Sequence, residues 1–270
     1  MATEKWIYDV IIYIYALSLL FYFSDFMSAS RRAKRIGAGL LIFVWGLQTV
    51  YLLSKLLSHL QLPEISPFEY WLGFSWLLVT VSLVISRFIA IDYIVFFVNV
   101  VGFAVLALNL YSSPSDGMDY SMSDTMREML YVHISLVLCA YAALTIGALL
   151  SGMYMFLHHR LKHKKWSRFV RRFPSLDSIE RYVDRTVIVG LPLLAMSLAV
   201  AVTSLLVEGR EYLLLDWKVL SSVGALIMYI VYVYQRAVNQ KPAQQLAKLY
   251  LASFAVMLLN VLTSSLSSFH

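Results

Sequence analysis

The feature that most limits the fold of this chain is the recurrence of apolar runs about as long as a bilayer is thick. A helix needs about 20 apolar residues to cross the hydrocarbon core, and eight such runs follow one another along the 270 residues. The chain is 60% hydrophobic, well above an ordinary soluble domain. We therefore expect an all-α, polytopic membrane bundle of eight transmembrane helices. The runs are Trp6–Phe23, Ala38–Leu57, Phe68–Ser86, Ile89–Tyr111, Met129–Leu157, Val187–Val207, Val219–Tyr234 and Leu246–Ser264.

Eight crossings leave no room for a sizeable soluble domain, so residues 1–270 are expected to form a single integral membrane domain. The segment up to the end of the first run carries Glu4, Lys5 and Asp9 rather than a basic leader, and no clear small-residue cleavage site precedes Ser24. This pattern indicates a retained helix and a multi-pass protein of the cell membrane.

The distribution of positive charge predicts the orientation. All but five of the 22 Lys and Arg residues lie in the connections that follow helices 1, 3, 5 and 7; the exceptions are Lys5, Lys55, Arg127, Arg210 and Lys218. The positive-inside rule places those basic loops in the cytoplasm and both termini outside. The net charge of +6 is thus explained by loops that face anionic lipid, and we expect the lipid bilayer, not a nucleic acid, as a partner.

The residues give no sign of enzymatic chemistry. No G-x-S-x-G, H-E-x-x-H or Walker motif occurs, and no paired carboxylates lie within an apolar run. The single cysteine, Cys139, excludes an internal disulfide and is expected to pack within the fifth helix. His158, His159 and His163 stand among Lys and Arg residues, which favours solvated charge over a metal site. We predict a non-enzymatic protein.

Two histidines stand at helix edges that the topology places on one side of the membrane. His133 lies near the start of the fifth run, and His270 is the last residue. Imidazole is costly near a bilayer, so such residues are often functional. A matched pair suggests two axial ligands to a haem iron, since neutral imidazole is a common haem ligand. The alternative for each is an ordinary packing or surface residue.

Spacing on the fifth helix predicts that His133 faces protein rather than lipid. It shares a helical stripe with Ala140, Leu144 and Gly147. On the neighbouring stripe Ala143, Gly147 and Ser151 recur every fourth residue, a pattern typical of close helix packing.

Three further segments carry polar signals. The segment from Pro174 to Arg185 is amphipathic, and Ser175 or Asp177 can cap it, which predicts a short surface helix ahead of helix six. Asp216 stands where a carboxylate meets the positive end of helix seven. The last helix carries a polar stripe of Asn260, Ser264 and Ser267 below His270.

Residues 131 to 270 resemble the cytochrome c assembly superfamily, which includes CcsA- and CcmC-type membrane proteins that handle haem. A His-led helix is followed by a basic turn, and PSLDSIERYVDRTVIVGLPLLAMSL is similar to the junction of that family. Six residues of this junction are in register: Pro174, Ser175, Leu176, Arg185, Gly190 and Pro192.

The resemblance implies a haem site between two helices. The family's Trp-rich outer loop corresponds to EGREYLLLDWK, in which Gly209 and Asp216 match, Tyr212 replaces a Trp, and only Trp217 supplies an indole. By this likeness haem would be the cofactor, with His133 and His270 as the metal ligands. The other expected cofactor-binding residues are Tyr212, Asp216 and Trp217. Arg127 and Arg210 could pair with the haem propionates, or could be ordinary surface charge.

Within the superfamily the chain resembles the HemX-type membrane proteins associated with haem biosynthesis. That likeness implies a protein linked to tetrapyrrole synthesis that lowers the level of glutamyl-tRNA reductase. The basic loop over 160–185 would contact this enzyme or another cytosolic protein. The alternative is a haem transport or presentation component of cytochrome c maturation. A transporter for another solute and a purely structural subunit are further readings.

Overall fold

In a computed structural model the chain forms α-helices and no strand across the residues that the structure describes, which are 2–28, 30–59, 67–88, 92–109, 124–164, 170, 173–207 and 209–267. Eight α-helices and one short 3-10 helix, Glu211–Leu215, lie within these residues. The α-helices are α1 Ala2–Ser28, α2 Arg31–His59, α3 Pro67–Phe88, α4 Asp92–Asn109, α5 Asp124–Lys162, α6 Leu176–Val207, α7 Trp217–Ala237 and α8 Ala243–Ser267.

Each of the eight predicted apolar runs corresponds to one of these helices. Seven of the described helices are long and apolar enough to cross a membrane, and the apolar part of α4, Tyr93–Leu108, is shorter. The predicted polytopic helical membrane bundle is therefore confirmed, and the outward orientation of both termini stays a prediction.

The helices group into two compact units, Met1–Ser121 and Met122–His270. The single membrane domain expected over residues 1–270 stays a prediction. Helices five to eight, at about 127–270, are the part in which the sequence predicts a core like that of the cytochrome c assembly superfamily, and they lie within the second unit.

In the first unit α1 to α4 are held together by buried polar side chains. The hydroxyl of Tyr15 on α1 donates to Asn99 Oδ1 on α4 over 2.9 Å, and Asn99 Nδ2 donates to Ser82 Oγ on α3 over 2.8 Å. Ser18 Oγ donates to the carbonyl of Gly37 on α2 over 2.8 Å. In a lipid surrounding, such bonds supply cohesion that the hydrophobic effect does not. These contacts connect α1 with both of its neighbours.

In the second unit each helix packs antiparallel to the next, and α8 returns to α5. His133 on α5 meets Ser197 on α6, whereas Tyr250 of α8 donates to the carbonyl of Leu144 over 3.1 Å. This topology brings the start of α5 and the end of α8 to one end of the unit, which we name the His133 end. The opposite end, where Arg236 of α7 lies, is named the Arg236 end.

The structure corrects one element. Residues 176–185 do not form a separate surface helix; they are the first turns of α6, which runs unbroken to Val207. The reason is that no helix breaker follows Arg185 before Gly190, and the acidic side chains of this segment pair with Arg236. Ser175 caps the helix as expected, since its Oγ accepts from Ser178 N over 3.2 Å.

Small residues let α5 and α6 approach closely. A Cβ added at Gly190 would lie 2.8 Å from Leu144 Cδ2, a distance that real Cβ contacts do not reach. Ala140 and Leu144 are fully buried, which confirms that the His133 stripe faces protein. Cys139, in contrast, is exposed and does not pack in this unit.

Candidate functional site

His133 lies at the His133 end of the second unit, between α5 and α6. Its imidazole is half-buried, and its Nδ1 is 2.9 Å from the carbonyl oxygen of Ser197 and 3.1 Å from the Ser197 hydroxyl. A carbonyl oxygen only accepts, so Nδ1 carries the hydrogen in this arrangement. Within the described residues, no hydrogen bond occupies the other ring nitrogen, Nε2. Among the described residues the ring is therefore held through Nδ1 alone, and its role as a ligand stays a prediction.

The first turn of α7 lies near this histidine, since Lys218 is close enough to interact electrostatically with the His133 ring. The antiparallel return of α6 into α7 through the 3-10 helix produces this proximity. The loop that matches the family's outer loop therefore stands at the same end of the unit as His133.

A left-handed glycine ends α6 and starts that loop. Gly209 has φ +69°, and Arg210 N donates to the carbonyl of Leu205 over 3.0 Å. Glycine adopts this conformation without the Cβ penalty of other residues. The match of Gly209 to the family loop therefore has a local structural cause.

Asp216 is the N-cap of α7. Its Oδ1 accepts from the backbone N–H of Lys218 over 2.8 Å, and its own backbone is extended. The expected interaction with the positive end of the helix is confirmed. This carboxylate is engaged by the helix it starts, and its role toward a cofactor stays a prediction.

Tyr212 and Trp217 project away from the packed helices. Their exposed fractions are 72% and 69%, and Leu215 between them is 78% exposed. No ring contact or hydrogen bond joins either aromatic ring to His133 in the part of the chain that the structure describes. Aromatic side chains of this kind are typical of a membrane interface. Their participation in a haem site stays a prediction.

The proposed second ligand, His270, lies outside the described residues. The last described residue of α8, Ser267, ends the helix at the His133 end of the unit. This topology is compatible with a pair of ligands, which stays a prediction. Of the two arginines suggested for propionates, Arg210 is exposed, and the side chain of Arg127 is not among those described.

A polar network that sequence reasoning largely missed lies further along the membrane-spanning part of the unit. Asn260 of α8 accepts from Ser221 Oγ over 2.9 Å and donates to Ser222 Oγ over 2.8 Å. The Tyr141 hydroxyl of α5 lies near Asn260. Of these residues, only Asn260 was in the predicted polar stripe. The two adjacent serines within an apolar run, Ser221 and Ser222, could have indicated a hydrogen-bonded contact between helices.

A charged cluster at the Arg236 end was also missed. Arg236 of α7 pairs with Glu180 and, over 2.8 Å, with Asp184 of α6. The Tyr232 hydroxyl donates to the same Asp184 over 3.1 Å. The sequence feature that could have indicated this cluster is the presence of Glu180 and Asp184 within a basic segment, because such acidic residues usually have a specific cationic partner.

The histidines at the end of α5 contact one another and a neighbouring tyrosine. The rings of His159 and His163 are 4.4 Å apart, and His158 stacks on Tyr154. Among the described residues, no group of three or more His, Cys, Asp or Glu side chains is arranged to hold a metal ion.

Comparison with known proteins places the chain in a family. The model of the cytochrome c assembly protein family matches residues 65–270. This range extends the resemblance beyond residue 131 and into α3 and α4 of the first unit. No solved structure matches the chain.

Two curated relatives match almost end to end. The chain is 36% identical over 271 residues to Protein HemX of Brevibacillus brevis, with 100% of this chain and 99% of the relative covered. It is 35% identical over 260 residues to Protein HemX of Bacillus subtilis (strain 168), with 96% and 94% covered. The chain therefore belongs to the cytochrome c assembly protein family, as a multi-pass membrane protein of the HemX type.

Proposed function

We propose that this chain is a haem-binding integral membrane protein that lowers the level of glutamyl-tRNA reductase in response to haem. The observation that carries the proposal is the state of His133: a half-buried imidazole whose Nδ1 is held by Ser197 and whose Nε2 takes no hydrogen bond from the described residues. Histidines that ligate metals commonly donate their other N–H to a backbone carbonyl in this way. The donor chemistry at His133 therefore fits a haem iron.

The site would be completed from the same end of the unit. His270 is the proposed second axial ligand, and Tyr212, Asp216 and Trp217 are the proposed lining residues. Bound haem would supply an iron that takes imidazole ligands and two propionates that suit cationic partners. Lys218, which acts electrostatically on the His133 ring, is one cation at this position.

The proposed link to glutamyl-tRNA reductase rests on the HemX-type resemblance. Its partner surface would be the basic 160–185 loop, whose described residues include the exposed Arg160, Lys162 and Arg181. This role is non-enzymatic and requires that the haem-free and haem-bound protein differ at that loop.

A spectroscopic experiment tests haem binding. The protein is expressed with haem supply, purified in detergent and examined for a Soret band. We expect His133→Gly to lose the band and added imidazole to restore it, because free imidazole can occupy the vacated ligand position. His159→Gly is the matched control, since this exposed histidine lies at the far end of the same helix. A Soret band that persists unchanged in His133→Gly contradicts the ligand assignment.

The second ligand needs its own comparison. In His270→Ala we expect a haem with one histidine ligand, so that the visible spectrum changes to a high-spin form. An unchanged spectrum in this variant removes His270 from the site while leaving His133 in place.

The regulatory role is tested by measuring the cellular level of glutamyl-tRNA reductase. In cells that lack this protein we expect the glutamyl-tRNA reductase level to rise, and complementation with the wild-type chain to lower it again. Complementation by His133→Gly should fail if haem is the signal. An unchanged glutamyl-tRNA reductase level with intact haem binding would instead support the second candidate, a haem transport or presentation role in cytochrome c maturation. The observation behind this candidate is the family match over residues 65–270.

A further inference from the structure

The contact between α5 and α6 at His133 has a chemical consequence for the ring. Neutral imidazole carries one N–H, on either Nδ1 or Nε2, and the hydrogen bonds of the ring decide which. Here Nδ1 faces two acceptors of a single residue: the Ser197 carbonyl at 2.9 Å and the Ser197 hydroxyl at 3.1 Å. The carbonyl can only accept, so it favours the hydrogen on Nδ1 and leaves the lone pair on Nε2. The hydroxyl can accept from Nδ1–H as well, but it does not itself decide the tautomer.

The position of Ser197 follows from the helix packing. Antiparallel α5 and α6 approach closely where Gly190 meets Leu144, and Gly147 meets Thr186 further along. The same register brings Ser197 opposite His133. Ser197 is 2% exposed, so solvent does not compete for the Nδ1 hydrogen. A small side chain at this position also leaves room for the imidazole to reach the α6 backbone.

We propose that Ser197 is a positioning residue that selects the Nδ1–H tautomer of His133 and so presents Nε2 as a ligand. This inference rests on the proposed haem-binding function, and it assigns a role that the family resemblance does not. The carbonyl fixes the tautomer, whereas the hydroxyl strengthens the bond and increases electron donation through Nε2.

The first test needs no haem. The protein is labelled with ¹⁵N-histidine and examined in detergent micelles by NMR, and the His133 signals are assigned by their loss in His133→Ala. We expect an Nδ1–H ring in the wild-type protein. An Nε2–H ring there overturns the inference.

A matched pair of variants isolates the hydroxyl. Thr and Val have nearly the same shape and differ in the hydroxyl, so Ser197→Thr keeps the second acceptor and Ser197→Val removes it. We expect both variants to keep the Nδ1–H ring, because the backbone carbonyl remains, and the Nδ1–H proton signal to shift upfield in Ser197→Val, because one acceptor is lost. Ser197→Thr should resemble the wild type. Ser197→Ala repeats the loss without added volume, and Ser204→Ala is the control on the same helix.

The second readout uses the haem-loaded protein. Loss of the hydroxyl makes the imidazole a weaker donor, so Ser197→Val and Ser197→Ala should raise the reduction potential, and Ser197→Thr should not. Identical behaviour of Ser197→Thr and Ser197→Val in the Nδ1–H signal and in the reduction potential overturns the role of the Ser197 hydroxyl.

The two proposals fail in different ways. A Soret band that survives in His133→Gly removes the ligand role of His133, even if the ring is an Nδ1–H tautomer. If the band disappears in His133→Gly but the haem-free wild type has an Nε2–H ring, His133 remains a haem ligand and the positioning role of Ser197 is rejected.

Discussion

At the scale of single residues, Gly147 has the clearest stereochemical constraint. A Cβ at this position would lie 1.9 Å from the Tyr250 hydroxyl oxygen and 2.3 Å from Thr186 Oγ1. The Tyr250 hydroxyl reaches the α5 backbone here and donates to the carbonyl of Leu144. Glycine is therefore needed for a contact in which α5, α6 and α8 meet.

We expect Gly147→Ala to lower the free energy of unfolding by about 1–3 kcal/mol, because the methyl group forces Tyr250 out of its position. Gly152→Ala is the control, since nothing lies within 4 Å of its added Cβ and alanine favours a helix by up to about 1 kcal/mol. Equilibrium unfolding in mixed micelles measures the free energy of unfolding of both variants. Equal stability of the two variants would contradict the proposed crowding at Gly147.

Asp216 has a structural role that can be separated from a role toward haem. Asn retains the N-cap hydrogen bond, whereas Ala loses it. We expect Asp216→Ala to destabilise α7 by about 1 kcal/mol and Asp216→Asn to have little effect on stability. If Asp216→Asn also leaves the Soret band unchanged, the carboxylate charge has no role in the site. A lost band in a stable Asp216→Asn protein would instead assign that charge to cofactor binding.

At the scale of helices, Arg236 holds the starting turns of α6 against the end of α7. Its guanidinium bonds to Glu180 and Asp184, which stand four residues apart on one face of α6. Without the arginine these two carboxylates would repel each other across one helical turn.

We expect Arg236→Gln to cost about 1 kcal/mol, a value reduced from that of a buried pair because these side chains are partly exposed. Glu180→Gln in the Arg236→Gln background should restore part of the loss by removing the repulsion. Arg181→Gln is the control, because its pair with Asp177 is more exposed. A double-mutant cycle measured by unfolding gives the coupling. Additive losses would contradict this account.

At the scale of the whole molecule, both units contain the same polar connection. In each unit an asparagine of the fourth helix bonds to a serine of the third helix and lies against a tyrosine of the first. In the first unit these are Tyr15, Ser82 and Asn99, and in the second Tyr141, Ser222 and Asn260. Interhelical hydrogen bonds of this kind join antiparallel neighbours at a fixed register in lipid.

The orientation in the membrane can be measured on the intact protein. Tyr212 and Lys162 are both exposed and lie near opposite ends of the second unit. In a Cys139→Ser background, we expect Tyr212→Cys to react with a membrane-impermeant maleimide in intact cells and Lys162→Cys to react only after permeabilisation. This expectation follows from the basic loops on the Lys162 side. The reverse labelling pattern would contradict the predicted topology.

The sequence alone determined the features that depend on local chemistry. Apolar length predicts the spans, and cap residues such as Ser175 and Asp216 predict helix starts because a side-chain oxygen bonds a backbone N–H two or three residues away. Helical periodicity places His133 on the protein-facing stripe. The expected break between residues 176–185 and the rest of helix six was wrong, because amphipathic character does not end a helix that lacks a breaker.

Only the tertiary structure decided which distant side chains meet. The bond from His133 to Ser197 joins residues 64 positions apart, and the contacts of Gly147 with Tyr250 and of Arg236 with Glu180 span comparable separations. Periodicity determines the face on which a residue lies, but the axial register of two packed helices depends on how all their side chains fit together. The contact of His133 with Ser197 was therefore fixed by the packing of α5 against α6, which the sequence alone does not give.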